Sequence, residues 1–432
     1  MRAIRIFLII LAVVIGLPVA LLLIGFGLAQ TGPGKRFIAD QAGGLASTPE
    51  MQVSIGGIEG LVPFDMTIRD VAVSDPAGKL VTVDHARLAW SPTALFRRVL
   101  QIDAVEAGTI TVDRLPAGGT TEAEPSSGGF SLPQLPVDIR LDRLQIDQIA
   151  LGPDVAGMAA KLSVAGDARL GSPSQGLRAN FAVHRLDGAA GDVTAKLAFT
   201  PSTQQLDVAV SVQEPQGGVI AGMAQLPGQP PVDLKLDGTG TLSDWRATLT
   251  GRAGDLGGID GAARIEPGQG SRRLTLDLNA DAARLVPAGI APLLQGKTTV
   301  KAEATVADAG PITITQFDAA TAAGSVSVSG SANPVGNTVD LAYRVQAGAA
   351  AGFAALLPPG TGWESLTVSG TAKGALDAPV ATAAIQGTGL RQGVYGAQTV
   401  AFDLTATPQG KLSDPDAPIG RASCRERVSC CV

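Results

Sequence analysis

Val232-Asp233-Leu234-Lys235-Leu236-Asp237 sets an apolar residue at every second position and a charged one in each gap. A period of two is what a strand with one dry and one wet face requires, because successive side chains leave a pleated backbone on opposite sides. The same pattern stands at Val137-Asp138-Ile139-Arg140-Leu141-Asp142 and at Leu274-Thr275-Leu276-Asp277-Leu278-Asn279. It recurs at Val208, Val210 and Val212, at Ile312 and Ile314, at Val326 and Val328, at Val339 and Leu341, and at Val400, Phe402 and Leu404. Asp75-Pro76-Ala77-Gly78, Pro227-Gly228-Gln229-Pro230 and Asn333-Pro334-Val335-Gly336-Asn337 supply the backbone angles and side-chain acceptors that chain reversals need. The reading is an all-β chain in which each strand has one oily face. Short helices are expected at 92–100, 219–226, 282–294 and 350–357, none long enough to form a bundle.

The 432 residues exceed one ordinary domain, so several β-units or one elongated repeat architecture are expected. Only 4% of residues are aromatic while there are 54 Gly and 28 Pro, a composition that starves a thick core and suits many short strands between turns. Elongation follows from that shortage.

Residues 6–29 contain no charge, and 24 residues at about 1.5 Å each are enough to cross a hydrocarbon core of about 30 Å with some tilt. We read this as one uncleaved transmembrane helix marked by Ile6, Leu11, Pro18, Leu23 and Ala29 within a membrane anchor of residues 1–34, since a signal-peptide core is shorter. Arg2 and Arg5 precede the segment and Lys35 and Arg36 follow it, so basic residues orient it only weakly, and the free N-terminal amine tips it inward. A first periplasmic β-unit is expected at 35–115. Residues 116–131, PAGGTTEAEPSSGGFS, read as a flexible linker, too poor in large apolar side chains to offset the entropy of ordering. An extended β-structure follows at 132–418.

All three cysteines lie at 424, 430 and 431, and IGRASCRERV at 419–428 resembles one reading frame of a sequencing adapter, so 419–432 reads as a non-native tail. Without its three Arg and one Glu, 30 basic residues face 38 acidic ones, a net charge of −8. That balance, with no basic cluster interleaved with aromatics, excludes nucleic acid as a partner. The remaining chain has no cysteine for a disulfide or zinc site, which fits an oxidising compartment.

Chemistry-bearing motifs fail on spacing. His85 and His184 each fall in an alternating stretch, ninety-nine positions apart, so neither a metal site nor a base is expected. Gly296-Lys297-Thr298 copies the end of a phosphate loop, but position 291 is Ala where that loop needs Gly. Gly387-Thr388-Gly389 is followed by Gly393 where a dinucleotide fingerprint needs Gly at 392, and it reads as a strand end. No nucleophile elbow occurs, and the acidic residues are spread singly over wet faces. No enzyme, cofactor or metal is expected.

Several strings nevertheless resemble a known group. They are Thr31-Gly32-Pro33-Gly34-Lys35-Arg36 after the apolar segment, Ile58-Glu59-Gly60 followed by Ile68-Arg69-Asp70-Val71-Ala72-Val73-Ser74-Asp75, and Ala89-Trp90-Ser91-Pro92-Thr93-Ala94-Leu95. Leu132-Pro133-Gln134-Leu135-Pro136 and Gly238-Thr239-Gly240-Thr241-Leu242-Ser243-Asp244-Trp245 continue the likeness, which covers most of residues 1–250. The order of these features resembles the N-terminal region of the TamB family, the inner-membrane subunit of the translocation and assembly module, within the wider AsmA-like group. The resemblance implies an elongated, curved, mostly antiparallel β-sheet groove with an apolar lining, held at the inner membrane with its bulk in the periplasm. It also implies a role in outer-membrane protein (autotransporter) assembly and phospholipid transfer, and an outer-membrane barrel partner of the TamA type engaged through a C-terminal domain beyond residue 418.

Val137, Ile139, Leu141, Val232, Leu234, Leu236, Leu274, Leu276 and Leu278 are then the candidate groove-lining residues, with phospholipid acyl chains as the partner. Small Val, Leu, Ala and Gly side chains would leave such a concavity unfilled. Alternation says that one face is dry and not what dries it. The faces could instead close on each other as β-sandwich cores of an envelope scaffold, or wind as the solenoid of a surface adhesin or passenger.

Overall fold

The computed structural model describes residues 25–48, 50–114, 136–188, 191–308 and 310–407, together with the backbone of 422–429. The expected linker at 116–131 and all but the last five residues of the apolar segment at 6–29 lie outside these residues. The chain divides into two compact units, Met1–Lys196 and Leu197–Val432.

In the first unit residues 25–29 are helical, the chain turns at Gln30 and Thr31, and helix α1 spans Gly32–Ala46. Thr31 caps it, its hydroxyl accepting the Gly34 N–H at 3.2 Å, and Pro33 lies in its first turn. This helix falls where only strands were expected. Its three internal glycines hid it, and one of them is required, because a Cβ at Gly43 would come within 2.9 Å of the Val53 carbonyl.

Strands β1 (Gln52–Leu61), β2 (Asp65–Asp75), β3 (Gly78–Ser91), β4 (Val99–Val112), β5 (Asp138–Leu151), β6 (Ala160–Leu170) and β7 (Leu177–Arg185) pair in chain order. All these pairings are antiparallel except β4 with β5. That parallel pair joins the two sides of residues 116–131 within one unit, and a parallel neighbour needs such a long connection. Between β3 and β4 the chain passes through a 3-10 turn, Pro92–Arg97, and a left-handed Arg98, where a longer helix was expected. The ladder of β5 starts when the Asp138 N–H donates to the Arg98 carbonyl at 2.9 Å, so Val137 lies in the bend ahead of it and not in the strand. Register shifts at Leu141/Leu144 and Ile146/Ile149 then advance the phase of β5. Without them Arg143, Gln145 and Asp147 would turn onto the apolar face; with them Leu144, Ile146 and Ile149 occupy it.

β8 (Asp192–Thr200) runs across the division between the units. In the second unit follow β9 (Gln205–Glu214), helix α2 (Val219–Met223), β10 (Val232–Thr241), β11 (Asp244–Ala253), β12 (Gly257–Gly268) and β13 (Ser271–Asp281). After them come β14 (Thr298–Ala307), β15 (Ile312–Thr321), β16 (Gly324–Asn333) and β17 (Thr338–Ala347). The two-residue β18 (Thr361–Gly362), β19 (Ser365–Ala375), β20 (Ala378–Gln392), β21 (Tyr395–Ala406) and the backbone strand β22 (Ala422–Ser429) complete the chain. From β9 to β22 every recorded pairing is antiparallel, β17 pairing directly with β19. The expected helix at 282–294 shrinks to a 3-10 turn at Ala291–Leu294, because Pro287 and Gly289 break the preceding residues into turns. At 350–357 only Ala350–Phe353 is a 3-10 turn.

Candidate functional site

Partners opposite each other in a ladder share a face of the sheet, so the register decides whether the oily side stays aligned from strand to strand. In the second unit it does. Val210 faces Leu236, which faces Leu249, then Gly261, Leu278 and Val300. The row continues through Ala319, Val326, Val345, Val368, Ile385 and Phe402. At about 4.8 Å between neighbouring strands this single row runs about 50 Å along the sheet, well beyond the roughly 15 Å of one leaflet's hydrocarbon. No charged residue interrupts it. A second row lies beside it, from Gly238 and Ala247 through Ala263, Leu276, Ala302, Phe317 and Val328 to Tyr343.

The first unit has its own rows. Ile58, Ile68, Ala86, Ala107, Ile146, Val164 and Val183 form one across seven strands. Ile102, Leu141, Ala168 and Ala179 form another, and Leu100, Ile139, Leu170 and Leu177 a third.

These faces are lined but not sealed. Leu141, Leu236 and Leu278 are each half-buried, and Leu274 is 37% exposed. Among the described residues no large side chain is fully buried, and most buried apolar residues are alanines. A closed sandwich would bury its Leu, Ile and Phe between two layers. Within each unit the described residues supply one amphipathic layer.

Large side chains on the lining are laid flat. In β11 the Trp245 ring crosses the intervening β10 at Gly238, and its indole N–H donates to the Leu206 carbonyl of β9 at 3.0 Å. In β17 Tyr343 crosses β19 at Gly370, and its hydroxyl donates to the Thr382 carbonyl of β20 at 2.9 Å. Phe181 likewise covers Gly166, where an added Cβ would come within 2.8 Å of the ring. A glycine makes room for each ring, and in the first two cases the sheet's own backbone takes the polar atom, so each aromatic presents hydrocarbon alone. This device was missed in the sequence, although Gly238 and Trp245 stand in one of the strings quoted above.

The opposite face is a ladder of solvated ion pairs. Arg252 meets Asp260 at 3.0 Å, Lys373 meets Asp340 at 3.0 Å, and Arg87 bridges Asp65 at 2.9 Å and Glu106 at 3.1 Å. The Arg87 guanidinium holds the Asp65 carboxyl below its ordinary range. Arg114, at the end of β4, clamps Asp75 in the β2–β3 turn with both guanidinium nitrogens and lowers it too, helped by the Ala77 and Gly78 N–H groups. Burial pushes Asp84 up, but N–H groups of His85 and Thr109 outweigh it and keep the carboxyl low.

The free edge of β1 is closed by the helical region. Gln30 pairs with Val62 as a strand would, its amide donating to the Val62 carbonyl at 2.7 Å and accepting the Val62 N–H at 3.1 Å. Lys35 Nζ donates to the Gly60 carbonyl at 2.6 Å, and Ser47 Oγ accepts the Val53 N–H at 2.9 Å. Unpaired edge groups are thereby satisfied, and Ala39 packs on Ile58 and Val62 behind them.

Of the nine candidate lining residues, Val232, Leu234, Leu236, Leu274, Leu276 and Leu278 stand on ladders of one unit, with Leu236 and Leu278 in one row. Ile139 and Leu141 stand in two rows of the other unit, and Val137 precedes its strand. Among the anchor residues Ile6, Leu11, Pro18 and Leu23 lie outside the described residues, Ala29 ends a helical stretch, and no described helix is long and apolar enough to cross a membrane. His85 lies in β3 beside Asp84, and His184 in β7 beside Asp192. Gly296 turns into strand β14 instead of a helix, so no phosphate loop forms there, and Gly387–Gly389 runs within β20. No group of three or more metal-ligating side chains occurs among the described residues.

A family model described as YdbH-like, intermembrane phospholipid transport protein YdbH, matches residues 34–422. No curated protein and no solved structure matches the chain.

Proposed function

The chain belongs to the YdbH-like family, and from that premise we propose that it carries phospholipids between the inner and outer membranes, their acyl chains lying against its in-register apolar face. The observation that carries this reading is the uncharged row from Val210 to Phe402, half-buried along its length. Each methylene moved from water onto such a lining gains roughly 0.8 kcal/mol, so a continuous row removes the main barrier to crossing an aqueous space. The step is partition and needs no nucleotide or catalytic group. In this reading residues 6–29 hold the chain in the inner membrane and the strands stand in the periplasm.

Photo-crosslinkers placed at Leu141, Leu236 and Leu278 test it. Phospholipid adducts at all three positions are expected; adducts to protein alone would reject the conduit and return the sheet to a scaffold.

The TamB-like strings support a narrower reading, in which the same face also shelters segments of outer-membrane proteins and the chain works with a barrel partner of the TamA type. The flat seat of Trp245, in one of those strings, favours it, because a level lining accepts an extended apolar segment as readily as an acyl chain. Purification of the full-length protein with a TamA-type barrel is the expected result, and its absence under crosslinking would remove this role while leaving lipid transfer standing.

A further inference from the structure

The 3-10 turn between β3 and β4 carries the most exposed phenylalanine among the described residues. Ala94 is 1% exposed and anchors the turn, while Leu95 is 42% and Phe96 93% exposed, with Arg97 and Arg98 next in the chain. Neither arginine pairs with a carboxylate among the described residues. Asp65 is held by Arg87 and Asp103 by the hydroxyl of Ser91, while Asp138, whose N–H bonds the Arg98 carbonyl, forms no ion pair with either arginine.

Its position gives that patch a meaning. Trp90, just before the turn, meets Phe64 in a tilted ring contact at 5.4 Å and donates its indole N–H to the Pro63 carbonyl at 2.8 Å. Phe64 in turn meets Phe26 at 5.9 Å, and Gln30 is bonded twice to Val62. The loop and the C-terminal end of the apolar segment are therefore fastened to one short turn, residues 62–64. Phe26, Leu28 and Leu61 are exposed at the same place, and Lys35 and Arg36 follow in sequence. On the other side of the loop the Leu100, Ile139, Leu170 and Leu177 row begins at once.

We infer that Leu95, Phe96, Arg97 and Arg98 form a second membrane contact, the aromatic and leucine entering the interfacial region of the inner membrane and the arginines meeting anionic phospholipid headgroups. Exposed aromatic and basic residues together are what an anionic bilayer surface selects. The contact sets the first apolar row against the leaflet from which acyl chains must come. It rests on residues 6–29 being the membrane anchor, which brings the bilayer surface to Gln30.

The test uses the full chain in vesicles of phosphatidylethanolamine and phosphatidylglycerol, with a photo-crosslinking amino acid at position 96 or at the equally exposed position 335. Lipid adducts at 96 with background labelling at 335 are expected, and Arg97→Glu should cut the yield at 96 about fivefold, an effect absent in purely zwitterionic vesicles. Equal labelling at both positions overturns the contact. So does background labelling at 96 while the protein stays in the membrane fraction and Leu236 still captures lipid, a result that spares both anchor and conduit. Loss of the protein from the membrane fraction overturns the anchor, and this inference with it.

Discussion

The two units use the same amphipathic strand for different ends. In the first, the strand order includes a parallel pair, β5 carries two phase shifts, and a helix with its preceding turn closes the edge of β1. In the second, the recorded pairings are antiparallel throughout, with bulges confined to the ladders of β15. Irregular strands with tied ends suit a unit that must hold one fixed shape. A plain meander suits a track, whose only requirement is that each added strand bring its oily side to the same row. The difference teaches that register, more than any single side chain, keeps an apolar face continuous from strand to strand.

The largest effect should come from putting charge into the track. Val345 stands inside the second unit's row, between Val326 and Val368. Val345→Asp should lower phospholipid transfer between donor and acceptor vesicles at least tenfold, since an acyl chain passing an uncompensated carboxylate forfeits a few kcal/mol. Gln346→Asp, one residue on and on the wet face, should leave transfer within twofold. Equal losses in both variants would break the claim that one face alone is used.

Next in size is the seating of the aromatics. Gly370→Val would drive its Cβ into the Thr382 carbonyl and crowd the Tyr343 hydroxyl, 2.9 Å from an ideal Cβ. A loss of about 3 kcal/mol in the second unit is expected by thermal or urea unfolding. Tyr343→Phe, which loses only the 2.9 Å bond to Thr382, should cost about 1 kcal/mol.

How much of this was legible beforehand follows from the same contrast. The strands of the second unit were readable because Leu234 and Leu236, or Leu274, Leu276 and Leu278, alternate without a slip. β5 was readable only over Ile139 and Leu141, because the shift after Asp142 changes the phase, and a strict period of two predicts Arg143 where Leu144 lies. Helix α1 was hidden by Gly34, Gly43 and Gly44, which propensity counts against a helix, although a tight approach to β1 demands only Gly43. The alignment of rows could not be read at all, since register depends on turn lengths and bulges spread over hundreds of residues. The edge closure by Gln30 was equally silent, a glutamine outside any strand serving as a strand's neighbour.

That closure gives a smaller test on the first unit. Gln30→Ala removes two hydrogen bonds to Val62 and should cost about 1–2 kcal/mol, seen as faster amide exchange at Val62 with the second unit unchanged. Slowed or unaltered exchange would mean that packing of Ala39 on Ile58 suffices to hold the edge.

The smallest effect concerns acid. Asp65 and Asp75 are both held below their ordinary range, Asp65 by Arg87 and Asp75 by Arg114, so each binds its proton more weakly folded than unfolded. The stability they lend is present above the unfolded carboxylate value of about 4 and is lost as pH falls through the lower folded value. The first unit should therefore soften below about pH 4, with its β2–β3 turn leading, because Arg114 joins that turn to the end of β4. Asp75→Asn should lower the unfolding midpoint at pH 7 slightly and flatten the acid limb, the two curves converging where wild-type Asp75 is protonated. A variant curve parallel to wild type at every pH would show that the turn is held by the hydrogen bonds of its backbone and not by the charge.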